Sequence, residues 1–414
     1  MPGRSALSHP YVRLASNGAF SAMWLGQVVS SLGDRLHQVA LVFLVARATN
    51  SSPLALGVAF AAMTLPGLLV GPVAGVLVDR WNRKRVMVVS DLLRAGLVSL
   101  IPVASGLNVG LVVCLVFLLA TVSSFFRPAR VAALPQVVPD GDLLTANSAM
   151  WVADTVSDLV GYGLGGLFVA FLGPALALAF WIDGASYLAS AALVAAVAIP
   201  GIAKVSPSTA QVASLRGEMA DGWRFLRGEA VLFATTVQAA IAEYGLGALT
   251  ALSPLLVAAL PLGGTNAPTA YGLFEMAMGV GLVGGGVVLG ALGTRLPKGP
   301  SIVIAFTALG AALAALSLAR NLPLALILAV VVGVANVSFV LPSQTLFQQR
   351  TPESMLGRVV SLRLAMVNAV LAAAMVTSGA LAQVFGLHTV LFACGLLTAT
   401  AGLAGLTVRS IRSV

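Results

Sequence analysis

Gly71-Pro-Val-Ala-Gly75-Val-Leu-Val-Asp79-Arg80-Trp81-Asn82-Arg83-Lys84-Arg85 decides how this chain folds. An apolar, glycine-spaced run meets one acid and a cluster of bases, and apolar sequence resumes at Val86-Met-Val-Val. That is a hairpin with its turn in water and its arms in lipid. Gly75 and Asp79 are four apart and share a helix face, where a glycine admits a neighbouring helix and the acid sits at the membrane boundary. Arg80, Arg83, Lys84 and Arg85 put that boundary on the cytoplasmic side.

Working outward, charged residues are 9% of the chain, hydrophobic ones 59%, and the mean hydropathy is +0.99, whereas a soluble domain is about one quarter charged. No aqueous fold hides that much apolar surface. The 414 residues divide into twelve segments of about 34, each enough for a span of about 20–25 residues and a short loop. The expected fold is an all-α membrane protein with twelve transmembrane helices in two pseudo-symmetric six-helix bundles. The net charge of +9 does not point to nucleic acid, because the bases are spread among short loops. Cys114 and Cys394 lie inside apolar segments and read as small core residues. The first apolar stretch is too long for a cleavable signal peptide and is interrupted by Gly33-Asp34-Arg35.

The expected organisation is a cytoplasmic segment (1–16), a six-helix bundle (17–199), a cytoplasmic linker (200–229), a second bundle (230–408) and a cytoplasmic tail (409–414). With both ends inside, every Lys and Arg except Arg35, Arg47, Arg94 and Arg320 falls on or near the cytoplasmic side, as the positive-inside rule requires. In the linker, Met219, Trp223 and Leu226 recur at helical spacing with bases between them, which predicts an amphipathic helix on the cytoplasmic leaflet. The halves repeat with an offset of about 214: Gly75-Val-Leu-Val-Asp79-Arg80 returns as Gly290-Ala-Leu-Gly-Thr294-Arg295.

Gly75-x-x-x-Asp79-Arg80-x-x-Arg83-Lys84-Arg85 resembles the loop between helices two and three of the major facilitator superfamily. Asn82 stands where that pattern usually has glycine, and either residue suits a left-handed turn. Phe126-Arg-Pro-Ala-Arg, Leu143-Leu-Thr-Ala-Asn147-Ser148, Gly165-Gly166, Ile182-Asp183-Gly-Ala-Ser-Tyr187 and Gln348-Gln-Arg-Thr-Pro352 with Gly357-Arg358-Val359 resemble its macrolide-efflux and enterobactin-exporter branch of drug–proton antiporters. Where such antiporters show a proline on helix five, this chain has Gly161-Tyr162-Gly163, which removes an expected kink. The resemblance implies a substrate site at mid-membrane between two parallel halves. It also implies a cytoplasmic gate of Gly75, Asp79, Arg80, Arg83, Lys84 and Arg358, with Asp79 capping the amino end of helix eleven.

An ionisable residue at membrane depth costs about 2.5–3.5 kcal/mol, so each needs a partner, a wet cavity or a task. Asp34 sits midway along helix one and His37, three on, shares its face; Asp34 either carries a proton or pairs with Arg94. Asp154 and Asp158 stack on helix five, and two carboxylates that close are expected to share a proton unless Asp154 is hydrated and Asp158 meets a base. Glu243 on helix seven falls near the repeat of Asp34 and is expected to face it across the cavity. Glu275 on helix eight lines the cavity or seals the outer gate. Asp91 and Arg94, three apart, read as a structural ion pair, and Asp183 as structural. His9, His37 and His388 form no metal set, and Gly279-Val-Gly281-Leu-Val-Gly284-Gly-Gly286 reads as close helix packing, since no Walker lysine accompanies it.

The expected activity is therefore proton-coupled export of lipophilic or cationic small molecules by alternating access, with no enzyme chemistry, cofactor or metal. Its partners are a small-molecule substrate, protons and the bilayer of the inner membrane; no nucleic acid is expected, and the chain reads as a monomer. Export or flipping of a siderophore or lipid-like metabolite is the nearest alternative, and a non-transporting receptor or scaffold a remote one.

Overall fold

The computed structural model describes residues 9–199, 220–292 and 298–404, which are helical almost throughout, with no strand among them. A short α1 (Pro10–Ser16) precedes α2 (Gly18–Ala48), α3 (Pro53–Leu69), α4 (Gly71–Val78), α5 (Arg83–Ser105), α6 (Val109–Val137), α7 (Leu143–Leu172) and α8 (Ala177–Ala196). Then come α9 (220–228), α10 (Ala230–Ala258), α11 (Ala267–Leu292), α12 (Lys298–Ser317), α13 (Leu322–Arg350), α14 (Glu353–Phe385) and α15 (Leu387–Ala404). Among the described residues eleven helices are long and apolar enough to cross a membrane, or twelve with α3 and α4, bent by 47°, counted as one span. The bend falls at Val70, between Pro66 inside α3 and Pro72 in the first turn of α4. Pro72 has no N–H to offer the preceding turn, so the helix breaks there. Helix α7, without an internal proline, runs unbroken for 30 residues.

Asparagines start several of these helices. Asn82, Asn108 and Asn321 accept from the backbone N–H groups of Arg85, Gly110 and Leu324, which satisfies donors that a helix start leaves open. Asn82 thereby departs from the turn expected of it. Its φ of −66° and ψ of 111° are extended, not left-handed, because the loop closes by capping α5 and needs no positive φ.

Two compact units make up the chain: residues 1–48 with 62–206, and 49–61 with 207–414. Helix α3 thus contributes its first residues to the second unit, where Gly57 meets α14. A Cβ at Gly57 would lie 2.1 Å from the carbonyl oxygen of Met375, and one at Gly379 would lie 2.6 Å from that of Pro53. Within the 279–286 glycine run, Gly281 packs on α13 so tightly that a Cβ would lie 2.1 Å from the carbonyl oxygen of Val330. That run is a helix contact in an apolar span, consistent with its reading from sequence.

Part of the linker differs from expectation. In α9, Leu226 is fully buried and Gly222 rests against the backbone of Arg358 in α14, while Trp223 lies edge-on to Phe233. Gly222 and Leu226, four apart, form the inward face, so the helix spends its apolar side on protein and turns Arg224 and Arg227 outward. Met219, Thr294, Arg295, residues 1–8 and the 409–414 tail lie outside the described residues.

Candidate functional site

A cavity of about 850 Å³ opens within the first unit. One wall is the α3–α4 span, which presents Met63, Gly67, Gly71, Gly75 and Asp79, a residue at every fourth position. A Cβ at Gly67, Gly71 or Gly75 meets nothing within 4 Å, so these glycines widen the cavity and do not seat a neighbour from the same unit. The opposite wall is α6, from Val116 to Ala132, and Asp34, His37 and Gln38 of α2 close the inner end with Tyr187 of α8. Most of the lining is apolar, and the polar side chains are Asp34, His37, Gln38, Asp79, Ser123, Ser124, Arg127 and Tyr187.

Asp34 accepts a hydrogen bond from the Tyr187 hydroxyl. Arg94 pairs with Asp91 instead, and its guanidinium lies between the rings of Phe126 and Tyr187, 4.2 and 4.3 Å from their centroids. Stacking between two aromatic faces fixes a buried cation without a second carboxylate. Asp34 therefore faces the cavity without an ion-pair partner within 4 Å among the described residues.

Asp154 and Asp158 are drawn apart by arginines. Arg130 grips Asp154 with two hydrogen bonds of 3.1 and 2.8 Å, and Gln27 adds a third of 3.0 Å. Arg35 of α2 takes Asp158, with Tyr162 and Gln38 completing the cluster. With a guanidinium on each carboxylate, the expected shared proton has no physical basis, because the repulsion that would hold it is already neutralised. Gln27, Ser31, Arg35 and Gln38 on α2 run alongside Asp154, Asp158 and Tyr162 on α7. That matched spacing was present in the sequence and points to pairing between the helices.

His37 turns to Asp183 of α8, with Nδ1 2.6 Å from Oδ2. Asp183, read from sequence as structural, is fully buried and receives the Ser186 hydroxyl. Asp34, His37 and Asp183 each bring a ligand atom within 4.8 Å of the other two. A search among histidines alone misses this trio, since two of its members are acids on different helices.

At the cavity's other end Asp79 is exposed, while Arg83 donates to the carbonyl of Ala132 and Lys84 to that of Ala195, both at 2.8 Å. These two bases tie the start of α5 to the backbones of α6 and α8. In the second unit Glu243 of α10 is half-buried and interacts electrostatically with Arg363 of α14, which donates to Ser343 at 2.6 Å and lies over Phe347. Glu275 of α11 accepts from Ser253 of α10.

Residues 10–413 match the transmembrane secretion effector family of major facilitator proteins. The chain belongs to that family. The chain is 27% identical over 398 residues to the multidrug efflux pump Tap of Mycolicibacterium fortuitum, covering 94% of this chain and 95% of Tap. It is 27% identical over 351 residues to macrolide efflux protein A of Streptococcus pyogenes, covering 83% and 84%. In fold it is similar to the nucleoside transporter NupG, with a TM-score of 0.79 at 10% identity over 94% of this chain and 98% of NupG. A D-xylose-proton symporter gives a TM-score of 0.68 at 13% identity, covering 96% and 97%. The chain is thus a multi-pass membrane transporter of the major facilitator fold and not an enzyme.

Proposed function

We propose that the protein exports lipophilic or cationic small molecules in exchange for protons, by alternating access, from the inner membrane with both termini in the cytoplasm. The single observation that carries this reading is the 850 Å³ apolar cavity with Asp34 on its wall. A carboxylate at membrane depth with a tyrosine hydroxyl but no ion-pair partner is costly when ionised, and protonation or a cationic substrate relieves that cost. Binding of one then disfavours the other, which is the exchange an antiporter needs. Glu243 is the counterpart in the second unit, where it would respond to the same cargo, and Glu275 would act nearer the outer gate.

Asp79 would hold the cytoplasmic gate by capping a helix start, where a carboxylate suits the helix dipole, with Arg358 as a further gate residue. Arg83 and Lys84, already bound to carbonyls, would serve as the fixed side of that gate, with Gly75 and Arg80 as further gate residues. One proton crossing about 150 mV supplies about 3.4 kcal/mol, which supports about a 300-fold gradient of neutral substrate. The relatives named for drug and macrolide efflux favour this cargo over a siderophore or lipid-like metabolite.

Uptake of a fluorescent lipophilic cation into inside-out vesicles tests the reading. Accumulation that collapses with an uncoupler in the wild type, and is absent from Asp34→Asn vesicles, supports it; equal accumulation in both sinks it.

A further inference from the structure

Matching the charges inside the first unit leaves a remainder. Arg35 goes to Asp158, Arg130 to Asp154 and Arg94 to Asp91. His37 and Asp183 are left to each other, and Asp34 has no ion-pair partner among the described residues. Arg127 lines the same cavity, but it is exposed and makes no ion pair with either acid among the described residues. Asp183 has no exposure and His37 has 4%, so water does little to stabilise charge on them. With a neutral imidazole the trio carries two uncompensated negative charges, and with a protonated one it still carries one.

The trio brings together three groups of the kinds that ligate metals, each with a ligand atom within 4.8 Å of the other two. Nδ1 of His37 and Oδ2 of Asp183 stand at 2.6 Å, an ion-pair distance, and a bound cation would take the place of the imidazole proton between them. The rest of each side chain is fixed from behind. Ser186 donates to Oδ1 of Asp183 at 3.0 Å, and a Cβ at Gly33 would lie 2.2 Å from that oxygen, so only glycine lets the carboxylate lie against α2. Tyr187 holds Oδ1 of Asp34, which leaves Oδ2 to coordinate.

We propose that Asp34, His37 and Asp183 bind one divalent first-row transition-metal cation, admitted through the cavity that Asp34 and His37 both line. One imidazole with two carboxylates suits Zn²⁺, Mn²⁺, Fe²⁺ or Co²⁺ better than Mg²⁺ or Ca²⁺, which prefer oxygen alone, and better than Cu⁺, which prefers sulfur. A divalent ion on neutral His37 cancels the two-charge excess, and water from the cavity completes its coordination. By occupying Asp34 the ion would also halt proton exchange there. That consequence rests on the function proposed above; the binding does not.

The test is a Co²⁺ titration of the purified full-length protein in detergent with any affinity tag removed, read by visible ligand-field absorption and by equilibrium dialysis. The expected result is one equivalent of Co²⁺, displaced by Zn²⁺, with affinity at least tenfold weaker in His37→Gln and in Asp34→Asn and unchanged in the exposed control Asp140→Asn. Asp183 is so buried that Asp183→Asn can simply fail to fold, so the first two variants carry the test, with circular dichroism confirming their helicity. Absence of proton-driven export by the wild-type protein, with its Co²⁺ binding intact, counts against the exchange reading alone. No stoichiometric binding by the wild-type protein at millimolar Co²⁺, or binding indifferent to both His37→Gln and Asp34→Asn, overturns the site.

Discussion

Arg35 of α2 holds Asp158 of α7, with Nε 2.9 Å from Oδ1 and the second amino group at 2.6 Å. The Asp158 side chain is 52% exposed and that of Arg35 only 22%, so the two partners are not equivalent. Asp158→Asn should cost about 1 kcal/mol of stability, in the range of exposed pairs. Arg35→Gln should cost more, because Tyr162 and Gln38 lose their partner too. Thermal unfolding in detergent reads both, and Asp158→Asn should keep export that responds to an uncoupler. Loss of coupling in Asp158→Asn with normal stability would show that the pair is a working part of the exchange.

Asp34→Asn keeps an acceptor for the Tyr187 hydroxyl and so should fold normally. It should slow proton-driven export at least tenfold, a difference of about 1.4 kcal/mol, while leaving energy-independent substrate binding measurable. Unimpaired export by a well-folded Asp34→Asn protein counts against this carboxylate as the coupling group.

Gly71→Leu and Gly75→Leu should add side chains to open space, since a Cβ at either position meets nothing within 4 Å. Stability should change by less than about 0.5 kcal/mol, as for substitutions away from packed features. Export of bulky substrates should fall before that of small ones. An unfolded Gly71→Leu protein would mean that the α3–α4 wall packs on something in its resting state.

Asn82→Ala should cost about 1 kcal/mol through the lost cap on α5, and Asn82→Gly only a few tenths. A left-handed turn would instead make glycine as good as asparagine or better and alanine worse on steric grounds alone. Because glycine is mild under both accounts, the deciding measurement is Asn82→Asp against Asn82→Gly. Aspartate retains the acceptor and should match the wild type under the capping account, whereas a stability gain in Asn82→Gly contradicts it.

The spans were legible in the sequence because hydropathy and the distribution of bases act through the bilayer, whatever the packing. The helix packing of Gly281 was legible too, since its run lay inside an apolar span. Pairing was harder. Asp154 and Asp158 were seen as neighbours on α7, but their charges are settled by Arg130 on α6 and Arg35 on α2, and a single helix cannot show what stands across from it. Asp183 reads as structural from sequence, but its partner is out of sight for the same reason: His37 lies on α2, and the room for the carboxylate comes from Gly33. Asn82 was misread because glycine and asparagine share one conformational preference but only asparagine has an oxygen that can cap.

The most direct measurement places the purified protein in liposomes with an imposed pH difference and follows substrate and protons together. Substrate should move against the proton flow, reverse when the pH difference is reversed, and be accompanied by opposite proton movement that Asp34→Asn abolishes. Substrate flux that ignores the direction of the pH difference, with no proton movement in the other sense, contradicts exchange at this cavity.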